Sequence, residues 1–182
     1  MADATWPVGD AVVELVVGDI ADQPDVDAVV NAANAQLMPG GGVAGAIHRA
    51  AGPGLAEECM PLAPIKVSEA VVTGGHRLPT RHVIHALGPV HRRDEPSDEL
   101  LADTYRHVLE IADREGFTGV ATPAISTGAF GFPIDRAARI ALRTVGDLLP
   151  NLANLRTLRF VLFDDRALAV HRDALDEVRR PT

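Results

Sequence analysis

The chain has one cysteine, one lysine, one tryptophan and one tyrosine among 182 residues. A lone Cys59 excludes an internal disulfide and any thiolate-built metal cluster within one chain, and leaves a buried free thiol as its plainest role. No apolar run approaches the roughly 18 residues that a membrane span needs. The opening Met1-Ala2-Asp3-Ala4-Thr5-Trp6-Pro7 has neither a basic n-region nor an apolar h-region, so a cytoplasmic location is expected. The net charge of -8, with pI near 5.3, opposes general attraction to nucleic-acid phosphates. Because Lys66 is the sole lysine, any phosphate bound here must be met by arginine or by backbone N–H groups.

What is present is an ordinary globular composition, 47% hydrophobic and 23% charged. At this length folding buries roughly 70% of the unfolded chain's surface, so one domain over 1–182 is expected, with its core at about 11–180. The β-branched runs 12–17 and 26–30 read as buried strands, and 43–51 as a helix opening near Gly42. Residues 70–73 and 82–87 read as a hairpin across the turn at 74–79. A helix is predicted from an N-cap at Ser97 to about Glu115, then a strand at 120–125. A helix with Pro133 at its first position runs to about Leu149, followed by a strand at 158–163 and a helix over 166–179. Alternating strands and helices, with no repeat or linker between them, predict an α/β fold with helices on both faces of the sheet. In such folds ligands sit beyond the C-terminal ends of the strands.

Three segments follow strands in a way that invites a ligand: Gly18-Asp19-Ile20, Asn31-Ala32-Ala33-Asn34, and Pro39-Gly40-Gly41-Gly42-Val43 leading into a helix. Three glycines let backbone approach a ligand closely, and the helix start behind them favours an anion, although a flexible connection has the same composition. No Gly-Lys-Ser/Thr follows and no G-x-G-x-x-G follows the first strand, which disfavours a Walker-type site and a dinucleotide fingerprint. A second small-residue loop, Ser126-Thr127-Gly128-Ala129-Phe130-Gly131-Phe132, also runs into a helix. Two such loops face to face would clamp a diphosphate through N–H groups, as a chain with one lysine requires. His82 and His85, three apart on a strand, point to opposite faces and make no metal pair, so no bound metal is expected.

Four motifs in order, Val-Asn-Ala-Ala-Asn at 30–34, Gly-Gly-Gly-Val-Ala-Gly-Ala-Ile-His-Arg-Ala-Ala-Gly at 40–52, Val-Ile-His-Ala-Leu-Gly-Pro at 83–89 and Pro-Ala-Ile-Ser-Thr-Gly-Ala-Phe-Gly-Phe-Pro at 123–133, resemble the macrodomain family and its MacroD-type branch. The resemblance runs from about Asp19 to Asp164. It implies a three-layer α/β/α sandwich around a mixed, mostly parallel sheet. It also implies ADP-ribose as the ligand, with no cofactor, and ADP-ribosylated proteins as partners of a chain taken as a monomer by default. Asp19 would accept from the adenine amino group with Ile20 beside it, and Phe163 would pack on adenine, though on sequence alone Phe163 is a core aromatic. Asn34 would hold the distal ribose, Gly40, Gly41, Gly42 and Val43 would line ribose and phosphates, and Ser126, Thr127, Gly128 and Ala129 would serve the diphosphate, with Phe130 covering the distal ribose. Asn31 is expected to be structural, and His48 and Arg49 to be packing or surface residues.

The resemblance breaks at Ala44, where active members of the branch usually carry an aspartate that activates the attacking water, and at Ile65-Lys66-Val67-Ser68, where the family has Cys-Pro-Thr-Gly. Alanine cannot act as a base. The expected activity is therefore hydrolysis of mono-ADP-ribose from acidic residues of proteins, or of O-acetyl-ADP-ribose, by a water held by the ligand's own phosphate and the Gly40–Gly42 backbone, with Asn34, Gly41 and Gly42 as the candidate catalytic residues. A non-catalytic ADP-ribose reader is the alternative. Lys66 lies outside both glycine-bearing loops, against a covalent lysine mechanism.

Overall fold

In chain order the computed structural model comprises β1 (Ala4–Val8), β2 (Ala11–Val17), β3 (Ala28–Ala32), α1 (Gly42–Ala51), α2 (Pro53–Cys59), β4 (Ala70–Gly74), β5 (His82–Ala86), α3 (Ser97–Arg114), β6 (Gly119–Thr122), α4 (Ile134–Leu148), β7 (Thr157–Leu162) and α5 (Asp165–Arg179). It describes residues 1–180; residues 181–182, part of the one-domain reading, lie outside the described residues.

The strands form one seven-stranded sheet in the order β1-β2-β7-β6-β3-β5-β4. The five central strands are mutually parallel, whereas β1 and β4 are antiparallel edge strands, β4 closing the expected hairpin with β5. Side chains alternate across the sheet with the period of two that strands impose. On one face Leu15, Val30, Ile84, Val120 and Phe160 pack with α3, α4 and α5, and on the other Val29, Val83, Ala121 and Val161 pack with α1 and α2. The result is a three-layer α/β/α sandwich. The buried residues Leu101, Tyr105, Val108, Leu109 and Ala112 of α3 recur at helical spacing, which is why this otherwise charged segment turns one stripe to the sheet.

Several boundaries differ from the sequence reading. Strand β1 went unpredicted because Pro7 interrupts its run; as an edge strand paired only with β2 it tolerates a residue that donates no hydrogen bond. Its Trp6 lies over Gly146 of α4, where a Cβ would come within 2.6 Å of the indole. The Gly52-Pro53-Gly54 sequence hid α2: Gly52, at φ +80°, makes the corner and Pro53 opens the new helix. Ser97 is not the N-cap of α3 but its first helical residue, with Pro96 in the cap position and the Ser97 hydroxyl donating to Glu95. Pro133 likewise precedes α4 instead of opening it, β6 ends at Thr122, and Phe163 lies outside β7.

Candidate functional site

Parallel neighbours in a sheet put their C-terminal exits on the same edge, so the sheet order β2-β7-β6-β3 sets four loops side by side: 18–23, 163–164, 123–133 and 33–41. The chain leaving β3 goes to α1 on one face and the chain leaving β6 goes to α4 on the other. Such a reversal opens a crevice between the two exits. Their ladder is short, pairing only Ala28 with Val120 and Val29 with Ala121.

The two glycine-bearing loops border this crevice. Gly41 occupies the N-cap of α1 with φ -84° and ψ 179°, and no side chain caps the helix. The first-turn N–H groups of α1 are therefore left to solvent or a ligand. Around Gly41 and Gly42 a Cβ would meet nothing within 4 Å, and the same holds at Gly128 and Gly131, so both loops face open space. Among the described residues the N–H groups of Gly128, Ala129 and Phe130 donate to no protein acceptor. Ser126, buried and at φ +68°, keeps its hydroxyl without a partner. A non-glycine residue in the left-handed region is a local strain that surrounding contacts must hold. Here Phe132 N–H donates to the Ser126 carbonyl at 2.9 Å, and Gly88 leaves the room: a Cβ there would lie 2.3 Å from Ser126 Oγ.

The remaining predicted residues fall around this edge. Asn34 holds its own loop, its Nδ2 donating to the Met38 carbonyl at 2.8 Å and its Oδ1 accepting from Met38 N–H at 3.1 Å; a Cβ on Gly40 would sit 3.6 Å from that Nδ2. One donor hydrogen and one lone pair of the amide remain. Phe130 and Val43, both half-buried, pack against the same cluster as Ile20, Leu37 and Ile47. Thr127 turns its hydroxyl inward, donating to the Ala124 carbonyl at 2.8 Å. Asp19 spends one carboxylate oxygen on Ala21 N–H at 2.9 Å and, among the described residues, leaves the other unpartnered at the surface. Phe163 is 93% exposed beside it, so the core-aromatic alternative is excluded. Ala44 is buried in the first turn of α1. A shallow surface hollow of about 390 Å³ lies instead between β4 and α3, lined by Glu69, Val71, His107 and Glu110 among others, and touches none of the four loops.

Behind α1 lies a buried polar group. His85 is fully buried, with Nδ1 3.1 Å from Asn31 Nδ2 and Nε2 2.8 Å from Thr73 Oγ1. Asn31 is buried beside His85, its Oδ1 without a partner among the described residues, and His85 and His82 do sit on opposite faces, the latter against Phe117. His48 is buried while Arg49 is exposed. Burial pushes the Cys59 thiol up to about 11, with the Glu58 carboxylate adding to it, so this sulfur is inert near neutrality. Among the described residues no group of three or more His, Cys, Asp or Glu is arranged to hold a metal ion.

Burial, reinforced by the neighbouring His48 ring, lowers His85 from 6.5 to about 4. The folded state holds this ring neutral while the unfolded chain protonates it below pH 6.5, so stability from this residue is complete above pH 6.5 and is lost as pH falls toward 4. The full loss is about 3 kcal/mol, since each unit corresponds to about 1.4 kcal/mol. Burial shifts His48 and His171 in the same direction. Urea unfolding at pH 7.5, 6.5, 5.5 and 4.5 should show stability falling with pH, and His85→Gln should flatten that slope even where it lowers stability overall. An unchanged slope would refute the assignment.

Three residues near this edge were given no role by the sequence reading: Gly88 and His91 at the exit of β5, and Gln23. His91 N–H donates to the Phe130 carbonyl at 2.9 Å and its ring lies 4.9 Å from Phe132, bracing the 126–132 loop from outside. The Gly-Pro pair directly after a strand was the available signal for the first two. Gln23 carried none, as a polar residue in a polar loop.

The Macro domain family matches residues 30–141 of the chain. A macro domain-containing protein of Caldanaerobacter subterraneus is 46% identical over 171 residues, covering 91% of this chain and 97% of the relative. A Salmonella newport protein named O-acetyl-ADP-ribose deacetylase is 43% identical over 169 residues, covering 90% and 94%. Among solved structures, the Oceanobacillus iheyensis macrodomain with ADP superposes with a TM-score of 0.92 at 36% identity, over 96% of this chain and 95% of that one. With its sheet order, its two glycine-bearing loops and relatives that match over nearly their whole length, this chain belongs to the Macro domain family.

Proposed function

We propose that this macrodomain binds ADP-ribose along the C-terminal edge of its sheet and hydrolyses it from acidic residues of proteins, or hydrolyses O-acetyl-ADP-ribose. The observation that carries this reading is the β3/β6 crevice, bordered by the uncapped start of α1 and by the free N–H groups of Gly128, Ala129 and Phe130. Backbone donors and a helix start are how a chain with one lysine would meet a diphosphate. In this reading Asp19 accepts from the adenine amino group, Phe163 packs on the base, and Ser126 through Ala129 hold the diphosphate. Asn34 and Gly40 through Val43 then line the distal ribose under Phe130. The names of the Salmonella relative and of the ADP-bound neighbour are in keeping with it.

Ala44 supplies no base, so the water must be held by the ligand's own phosphate and the Gly41–Gly42 backbone. For a glutamate-linked substrate the water oxygen bonds to the anomeric carbon of the distal ribose, the bond to the side-chain carboxylate breaks, and the water's proton passes to the phosphate oxygen and then to solvent. Placement and charge stabilisation carry such a step without a general base. The absence of a carboxylate at position 44 favours a second reading, a module that binds without turnover.

Incubation with a protein mono-ADP-ribosylated on glutamate or aspartate, and separately with O-acetyl-ADP-ribose, is expected to release free ADP-ribose detectable by mass spectrometry. Tight ADP-ribose binding with no release from either substrate would establish the reader.

A further inference from the structure

We infer that Gln23 and Arg159 are positioning residues that pre-set the Asp19 carboxylate for the base of the nucleotide. The inference rests on the ligand reading above and concerns residues assigned no part in it. Arg159 lies on β7 in register with Glu14 of β2, on the sheet face opposite Phe160. Its Nε donates to Glu14 Oε2 at 2.7 Å, and its two terminal nitrogens donate to the two Asp25 oxygens, each at 2.8 Å. The same Nη1 donates to Gln23 Oε1 at 3.0 Å. Gln23 is buried, and its amide nitrogen donates to the Asp19 carbonyl at 2.8 Å.

These contacts form a chain from the middle of the sheet to the backbone of Asp19. The planar fork of arginine fixes acceptors on three side chains at once, which an ammonium does not reproduce. Gln23 must use oxygen toward Arg159 and nitrogen toward Asp19, so the orientation of its amide is determined by its two neighbours. The Asp19 carbonyl accepts both from Gln23 and, at 3.1 Å, from Asp22 N–H, and one carboxylate oxygen accepts from Ala21 N–H, so that among the described residues the exposed side chain of this restrained loop keeps one carboxylate oxygen without a partner. A restrained acceptor costs less ordering on binding and discriminates a donor from an acceptor on the ligand more sharply than a mobile one. Adenine presents an amino group at its 6-position, whereas hypoxanthine presents a carbonyl oxygen.

The test compares ADP-ribose with its inosine counterpart by calorimetry, using the full chain. Wild type should prefer ADP-ribose. Gln23→Met, which fills the same space without either hydrogen bond, should weaken ADP-ribose about tenfold and the inosine analogue by much less, narrowing the preference. Gln23→Glu keeps the acceptor for Arg159 but has no N–H for the Asp19 carbonyl, and should behave the same way should the methionine variant fold poorly. Asp19→Ala should remove the preference outright. Equal weakening of both ligands, or an unchanged preference in both Gln23 variants, would overturn the inference while leaving the ligand reading intact. Failure of wild type to bind ADP-ribose at all would overturn both.

Discussion

Gly41→Glu is expected to weaken ADP-ribose binding at least about 100-fold, equivalent to roughly 2.7 kcal/mol, while leaving thermal stability near that of the wild type. The fold tolerates the side chain: Gly41 is in extended N-cap geometry, and a Cβ there meets nothing within 4 Å. A carboxylate at the start of a helix is even favoured by the helix dipole. For the same reason it would occupy the place proposed for the ligand's anion, adding repulsion to steric block. Gly42 makes a poorer probe, because its φ of +56° would strain any side chain and confuse folding with binding. Calorimetry beside a thermal melt checks the prediction. Normal affinity in a folded variant would place the diphosphate and ribose elsewhere.

Ala44→Asp is expected to accelerate release of ADP-ribose about 100-fold, the low end of what a positioned general base contributes. Ala44 is the third residue of α1, buried beside the crevice. A carboxylate in that first turn is stabilised by the unpaired N–H groups of the helix start, which offsets part of the cost of burying it. If water already sits where the Gly41–Gly42 backbone and the ligand phosphate would hold it, the new carboxylate orients and deprotonates it. The measurement is the single-turnover rate on a glutamate-linked substrate at saturating enzyme. An unchanged rate in a variant that still binds ADP-ribose would mean that the water is positioned differently from this proposal.

Some residues declared their roles in the chain itself and others did not. The α/β alternation, the two loops running into helices and the opposed faces of His82 and His85 follow from local pattern, because strand and helix periods are properties of neighbouring residues. The glycine of the β5 exit, Gly88, matters only because Ser126, 38 positions later by numbering, is pressed against it. Phe163 shows the limit most clearly. It continues the parity of Arg159 and Val161 and so reads as one more inward residue, yet β7 ends at Leu162 and leaves the ring 93% exposed.

The sequence alone therefore determined the layered α/β class, the anion-friendly character of the two loops and the lack of a carboxylate at position 44, since each depends on residue type and short-range spacing. Only the tertiary structure decided which loops are neighbours. Strand order in the sheet is not chain order: β7 inserts between β2 and β6, and so brings Asp19, Phe163, Ser126 and Asn34 onto one edge. The Gln23–Arg159 link, spanning 136 positions, belongs to the same class, because a hydrogen bond between residues so distant exists only after the strands have paired.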